Sequence, residues 1–256
     1  MASDWPRVHV LFATFKRTEA ALDTICSLEK YLKYPDLHFH ICDDGSGESD
    51  DGSGRPHIEV LLERFKQFAP DTTAHEMPTP HGEFNTGGNI NYGIELMRQQ
   101  GDSIYLLNFD DWALLKELDI RPHVEVLDTC PEVGFIRLSW LTPGIAGVCV
   151  RYDAPRSLGP MMWLRIIRQW STQNPWATDS YVVSMQPFIA HVRFHEAYGM
   201  FKENVYPGLC ETEMTERYLQ HPYGENGPQI LHPIGGCWDH SNYGHMAARA
   251  HYYARM

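Results

Sequence analysis

Short apolar runs alternate with amphipathic segments in the N-terminal half of this chain, and this alternation restricts the folds available to it. Three β-prone apolar runs, which we predict to be buried strands, occupy residues 8–13, 37–42 and 103–107. Apolar side chains recur at helical spacing in the segments around them, residues 18–32, 58–68 and 90–99. This order is typical of βαβ units, so we predict an α/β fold with a mostly parallel, Rossmann-like sheet and helices on both faces.

The C-terminal half has a weaker pattern. Residues 133–140 predict another strand, and the aromatic-rich residues 163–170 predict a short helix or a loop. Residues 186–201 and 208–219 are expected to form a further unit, whereas residues 232–256 show little periodicity.

Charge and hydropathy exclude several classes of protein. The net charge of -12, with neutral histidines, disfavours broad electrostatic binding to nucleic acid. No apolar run approaches the roughly 20 residues that span a bilayer, and residues 1–7 lack a signal-peptide pattern. We therefore expect a cytoplasmic protein. The six cysteines form no CxxC pair, which favours buried free thiols over disulfides or a zinc cluster.

Acidic residues follow the second predicted strand, at the sheet edge where α/β proteins bind their ligands. Asp43 and Asp44 come directly after residues 37–42 and precede Gly45 and Ser46. A carboxylate there can accept hydrogen bonds from a nucleobase N–H or a ribose hydroxyl. The alternative is an Asx-type turn, because Asp-Gly-Ser is also an ordinary turn sequence.

A second acidic pair, Asp110 and Asp111, ends the third predicted strand. Adjacent carboxylates repel each other unless a cation or hydrogen-bond donors neutralise them. Mg²⁺ and Mn²⁺ suit such oxygen ligands, and they commonly bind one or two protein carboxylates together with substrate phosphates. The alternative is that one aspartate caps a helix over residues 112–118.

A third acidic group surrounds residue 211. Glu213 and Arg217 have the i,i+4 spacing of a surface ion pair on a helix. Glu211 precedes the expected helix, so its carboxylate is freer to act as a general base. The tryptophans of the same half could line an acceptor groove or pack in the core; they are Trp140, Trp163, Trp170 and Trp176.

Taken in order, these segments resemble the GT-A glycosyltransferases, especially the large inverting family two. The similarity covers roughly residues 8–220. It rests on Thr-Phe-Lys-Arg at 14–17, Asp-Asp-Gly-Ser at 43–46, Asn-Thr-Gly-Gly-Asn-Ile-Asn-Tyr-Gly at 85–93, Leu-Asn-Phe-Asp-Asp-Trp at 107–112, Arg-Phe-His-Glu-Ala-Tyr-Gly-Met-Phe at 193–201, and Glu211 to Arg217.

The resemblance implies a nucleotide site in the first half of the chain. Thr14 and Asp43 would contact the base and ribose, with Asp44 as a helper, and Asp110 would lie near the ribose or sugar. Asp111 would hold Mn²⁺ or Mg²⁺ on the diphosphate of a nucleotide-sugar donor. The full set expected on the nucleotide side is Thr14, Arg17, Asp43, Asp44, Asn89 and Asp110.

The resemblance also implies an acceptor side. Glu211 would deprotonate the acceptor hydroxyl, with Glu213 as the alternative base because the family's Glu-Asp motif reads Cys210-Glu211 here. Residues 186–188 would line the acceptor site, and His240 is a candidate further metal ligand or a solvated histidine. The chain departs from a strict Asp-x-Asp motif: Phe109 takes its first acidic position if Asp111 is the last, and the shifted register reads Asn108-Phe109-Asp110.

These implications define one expected function. A single GT-A-like domain over residues 1–256, with a nucleotide-binding half at about 1–115 and an acceptor-side half at about 116–256, would transfer a sugar from a UDP-sugar to a hydroxyl of a glycan, small molecule or modified biopolymer. The expected activity is that of a hexosyltransferase (EC 2.4), inverting and metal-assisted. The alternatives are a nucleotidyltransferase, although the first turn lacks its usual glycines, and a non-catalytic module that binds nucleotide or glycan.

Overall fold

The computed structural model describes residues 5–77, 85–138, 148–152, 156–159, 161–171, 182–220, 229–234 and 243–245. Its helices are α1 (Thr18–Tyr31), α2 (His57–Lys66), α3 (Thr86–Gln99), α4 (Arg121–Thr129), α5 (Arg193–Tyr198) and α6 (Pro207–Gln220). Its strands are β1 (Val8–Thr14), β2 (Leu32–Lys33), β3 (Leu37–Asp43), β4 (Thr73–Glu76), β5 (Ile104–Phe109), β6 (Trp112–Leu114), β7 (Leu118–Asp119), β8 (Val133–Arg137), β9 (Val148–Tyr152), β10 (Arg156–Leu158), β11 (Met161–Ser171), β12 (Phe188–His191), β13 (Gln229–Ile234) and β14 (Tyr243–His245).

One large sheet organises the fold. Its strand order is β4-β3-β1-β5-β12-β8-β13-β11-β10, and β9 pairs with β11 outside this path. From β4 to β13 the strands run parallel except β12, which is antiparallel to both β5 and β8. The carboxyl ends of β1, β3 and β5 therefore lie side by side at one edge. This confirms the predicted α/β fold with a mostly parallel sheet.

Helices cover both faces of the sheet, as the alternating side chains of β1 show. Val10 and Phe12 belong to the core that α1 and α2 complete, whereas Leu11 packs in the core beneath α3. Gly93 allows α3 to approach closely, because a Cβ there would lie 2.9 Å from Leu11 Cδ2. Both faces are thus buried, which explains the continuous apolar run of β1.

Two local predictions are wrong. Residues 163–170 belong to β11, which pairs with β13 at one end and with β9 at the other. Residues 112–118 contain no helix, since β6 pairs with β14 more than a hundred residues later. Pairing with distant strands therefore overrides the local pattern in both places. Asp110 and Asp111 do not cap a helix.

In the described part of the chain, the helices lack the combination of length and apolar character that crossing a membrane requires.

Candidate functional site

A cavity of about 400 Å³ opens at the edge where β1, β3 and β5 end and where α3 and α6 begin. Among the residues expected at the nucleotide, it brings Thr14, Arg17, Asp44 and Asn89 together. The lining residues are Ala13, Thr14, Phe15, Lys16, Arg17, Cys42, Asp44, Thr86, Asn89, Phe109 and Pro207. A larger cavity of about 510 Å³ lies at the opposite sheet edge, near the start of β3, and holds none of the predicted site residues.

The turn between β1 and α1 brings two cationic side chains to this cavity. Lys16 and Arg17 both adopt left-handed backbone angles, with φ of 56° and 58°. The loop after β3 holds this turn, because Ser46 Oγ accepts from Lys16 N at 2.7 Å. The Asp50 carboxylate accepts from Arg17 N at 3.1 Å and from Thr18 N at 2.7 Å. Asp50 thereby caps α1 from another segment of the chain, a role that the sequence did not reveal.

Asp43 shapes the loop and does not line the cavity. Its buried carboxylate accepts hydrogen bonds from the backbone N and the hydroxyl of Ser46. Burial raises the pKa of Asp43 to about 6, and the Ser46 bonds partly oppose that rise. Of the two interpretations of the Asp-Asp-Gly-Ser segment, the structure shows the turn.

Asp44 fixes the start of α3. Its two carboxylate oxygens accept from Asn85 N at 2.8 and 2.9 Å, and they also accept from Thr86 Oγ1 at 3.2 Å. Asn89 Nδ2 donates to the same carboxylate at 2.9 Å, which fixes the orientation of its amide. The buried Asn89 Oδ1 then has no hydrogen-bond partner among the described residues and remains a spare acceptor at the cavity wall.

Asp110 and Asp111 share one guanidinium. Arg17 donates from Nη2 to Asp110 Oδ1 at 2.5 Å and from Nη1 to Asp111 Oδ2 at 2.6 Å. Asp110 Oδ2 accepts from Thr14 Oγ1 at 3.0 Å and from Phe15 N at 3.2 Å, so both oxygens of this buried carboxylate are used. Burial raises the pKa of Asp110 to about 7, against the lowering effect of Arg17.

The described side chains do not form a site at which protein groups alone would hold a divalent ion. The described residues contain no group of three or more His, Cys, Asp or Glu side chains placed to hold one. Asp111, which was expected to hold the metal, and its neighbour Asp110 are both paired with Arg17. The expected ligand His240 lies outside the described residues.

His57, a buried residue that the sequence analysis did not identify, is connected to Asp110 through the Thr14 hydroxyl. The Thr14 hydroxyl donates to Asp110, so it accepts from His57 Nε2 at 2.9 Å. His57 Nδ1 then accepts from Thr18 Oγ1 at 2.9 Å, and burial lowers the pKa of the imidazole. A neutral His57 therefore locks the Thr14 hydroxyl onto Asp110.

Glu211 lies on α6, one turn, or roughly 6 Å along the helix, beyond the Pro207 that lines the cavity. Its carboxylate accepts from Met185 N at 2.6 Å and from Ser184 Oγ at 3.1 Å. Burial raises the pKa of Glu211 to about 7, although its hydrogen bonds and Arg137 favour the charged form. A carboxyl with this pKa can take up a proton near neutral pH.

Glu213 is engaged differently. It accepts from Arg217 Nη2 at 2.7 Å in the i,i+4 pair that the sequence offered as one interpretation. Arg217 also donates to the carbonyl oxygens of Tyr198 and Met200. Glu213 thus helps to hold the arginine that joins α6 to α5.

Two aromatic residues that the sequence offered for the acceptor side, Trp163 and Phe188, pack in the core. Trp163 is fully buried, and its Nε1 donates to the Leu158 carbonyl at 2.8 Å. Phe188, expected on the acceptor side, is also buried and stacks on Phe135 with ring centroids 4.1 Å apart. The side chains of Trp140, Trp170 and Trp176 lie outside the described set. The four described cysteines are free thiols; Cys42 and Cys210 are buried, as expected, whereas Cys26 is exposed and Cys130 is half-buried.

Two solved structures share this fold. One is the nucleoside-diphosphate-sugar pyrophosphorylase from Vibrio cholerae RC9, with a TM-score of 0.51 and 10% identity over 96% of this chain and 98% of that one. The other is a UDP-glucose pyrophosphorylase complexed with UDP-glucose, with a TM-score of 0.50 and 11% identity over 98% of this chain and 100% of that one. Identities this low show the fold alone. No protein-family profile and no curated protein sequence matches the chain.

Proposed function

We propose that this chain is a transferase that acts on a nucleotide sugar bound in the cavity at the ends of β1, β3 and β5. The observation that carries this proposal is the wall of that cavity, where Lys16 and Arg17 place two positive charges beside hydrogen-bonding and apolar groups. Cationic side chains attract a diphosphate, and the Asn89 amide oxygen can accept from a base or ribose. The two structures of the same fold are named as nucleotide-sugar pyrophosphorylases, which supports a ligand of this class.

Glu211 favours glycosyl transfer. An acceptor hydroxyl must lose its proton as it attacks the sugar, and a carboxylate with a pKa of about 7 can take that proton. A sugar phosphate that attacks a nucleotide is already ionised and needs no such base. Glu211 therefore supports transfer of a hexosyl group to an acceptor hydroxyl, and the UDP-sugar donor and inversion follow from the family-two resemblance.

In the proposed step, the acceptor oxygen forms a bond to the anomeric carbon as the bond from that carbon to the diphosphate breaks. The acceptor proton moves to Glu211, and the electron pair leaves with the nucleoside diphosphate. Arg17 and Lys16 then face the negative charge that develops on the leaving group. The role of Glu211 is the one that the family-two resemblance implies, whereas Arg17 and Lys16 replace the cation that the resemblance placed at Asp111.

Nucleotidyl transfer is the second candidate, because both named structures of this fold are pyrophosphorylases. That reaction would use pyrophosphate and a UDP-sugar to give UTP and a sugar phosphate. It would need cations at the first turn, which Lys16 and Arg17 supply.

A comparison of products separates these reactions. Incubation with UDP-glucose, GDP-mannose and dTDP-glucose, each with and without pyrophosphate, should give slow release of the nucleoside diphosphate without pyrophosphate. Glu211→Gln should lower that rate by about a hundredfold or more and leave the dissociation constant of UDP within twofold. Formation of UTP only when pyrophosphate is added would instead establish the nucleotidyltransferase. A Glu216→Gln variant on the same helix is the matched control.

A further inference from the structure

Arg17 sits where a divalent cation was expected. Its guanidinium bridges Asp110 and Asp111 at 2.5 and 2.6 Å. We propose that the remaining N–H donors of Arg17 bind the diphosphate, so that nucleotide binding in this cavity does not depend on a divalent cation. This inference rests on the proposed function, because it specifies how that function's ligand is held.

The guanidinium is fixed before any ligand arrives. The Arg17 backbone is held by Asp50, and its two terminal nitrogens are each oriented by a carboxylate. A guanidinium carries five N–H donors, so these two bonds leave others available. The side chain is 48% exposed and lines the cavity, so those remaining donors are accessible to an entering diphosphate. A fork of this kind can bind phosphate oxygens in pairs.

A metal ion would have to compete with this arrangement. Both oxygens of Asp110 are already bonded, to Arg17 on one side and to Thr14 and Phe15 N on the other. Any ion between Asp110 and Asp111 must displace the guanidinium, and the described residues provide no cluster of three metal-binding side chains. Lys16 adds a second positive charge at the same wall. The acidic pair therefore acts as the holder of an arginine.

Titration calorimetry with UDP tests this directly. The wild-type dissociation constant should agree within twofold between buffer with EDTA and buffer with excess Mg²⁺. Arg17→Met should weaken UDP binding at least tenfold in both buffers, and Arg17→Lys should lie between. Arg121→Met is the matched control, because Arg121 also forks onto an aspartate, Asp119, outside the cavity.

Binding of Mn²⁺ without nucleotide gives a second measurement, because an unfolded variant would not gain a specific metal site. By the electron paramagnetic resonance of free Mn²⁺, the wild type should bind no ion at this pair, whereas Arg17→Met removes the guanidinium that bridges Asp110 and Asp111 and should gain a site. UDP binding that occurs only with Mg²⁺ or Mn²⁺, and that survives Arg17→Met, would overturn the inference and leave the proposed function standing. Failure of UDP and of every nucleotide sugar to bind in either buffer would overturn the proposed function and this inference with it.

Discussion

The two acidic pairs at the ends of β3 and β5 look alike in the sequence, yet the structure uses them in different ways. Asp43 and Asp44 accept hydrogen bonds from neutral donors: Ser46, Asn85 and residues of the first turn of α3. Asp110 and Asp111 instead share a cation, Arg17. The first pair fixes a loop and the start of α3, whereas the second orients the guanidinium of Arg17 at the cavity.

The difference comes from what reaches each strand end. After β3 the chain makes a glycine-rich loop in which Ser46 N donates to Asp43, and the start of α3 brings Asn85 N to Asp44. After β5 it turns directly into β6, and the neighbouring β1–α1 turn brings Arg17 over the edge. An acidic pair at a strand end thus predicts that donors or cations will converge on it. It does not predict which of them will.

Loss of Asp44 should be the largest effect and tests the scaffolding role of the first pair. Asp44→Ala leaves the buried donors of Asn85, Thr86 and Asn89 without their shared acceptor. We expect the free energy of unfolding to fall by about 4 kcal/mol, since each stranded buried donor costs roughly 1–3 kcal/mol. Urea denaturation followed by circular dichroism measures it.

The control for that variant is Asp23→Ala on the exposed face of α1, which should change the free energy of unfolding by less than about 0.5 kcal/mol. If Asp44→Ala is as stable as this control, Asp44 does not hold the start of α3, and the contrast between the two pairs is lost.

The second acidic pair, Asp110 and Asp111, should affect how the free energy of unfolding depends on pH. Burial raises the pKa of Asp110 to about 7 in the folded state, above its usual 3.8. The folded state therefore holds this proton more tightly, and ionisation of Asp110 costs stability as pH rises from about 4 to 7. Asp110→Asn removes that cost, so the variant should gain stability relative to the wild type over this range, by on the order of 3 kcal/mol.

The free energy of unfolding of both proteins, measured at pH 4.5, 6 and 7.5, checks this prediction. Both proteins contain buried histidines such as His40, whose pKa burial lowers to about 3 and whose effect on the pH dependence of stability is opposite to that of Asp110. Comparing the two proteins at each pH cancels the effect of these histidines. A difference between the proteins that stays constant with pH would mean that Arg17 keeps Asp110 ionised throughout.

The elements predicted accurately are those whose apolar pattern lies within one short segment of the sequence. The bounds expected for β1, α1 and β3 agree with the structure to within one or two residues, because each has an unbroken apolar run or a helical period. β11 was mistaken for a helix or loop, since its strand conformation depends on partners distant in sequence. The division into a nucleotide-binding half and an acceptor-side half stays a prediction.

The candidate site divides in the same way. Strand-end rules placed Asp44 at the edge where the cavity lies, and the family resemblance added Thr14 and Asn89. The pairing of Arg17 with Asp111 joins residues 94 positions apart, and no local pattern encodes it. The roles of Asp50 and His57 depend on how a loop folds back over the first turn, so their sequence neighbourhoods carried no sign of them.

Ser46 connects the loop after β3 to the β1–α1 turn that carries Arg17, and its substitution should have the smallest effect of those considered. Its hydroxyl donates to Asp43 and accepts from Lys16 N, the residue before Arg17. Ser46→Ala should lower the free energy of unfolding by about 1–2 kcal/mol. The Ser46 bonds lower the pKa of Asp43, which is about 6, because they favour its charged form. The loss should therefore be larger at pH 7.5, where Asp43 is ionised, than at pH 5.

Ser53→Ala is the matched control for this variant, since Ser53 lies exposed in the same loop and should show neither the loss nor its pH dependence. If Ser46→Ala costs the same at both pH values, the Ser46 hydroxyl does not stabilise the charged form of Asp43. In that case a group other than the Ser46 hydroxyl must stabilise the charged form of Asp43. A loss that grows with pH, together with weaker UDP binding, would show that the scaffolding pair positions Arg17 through a single hydroxyl.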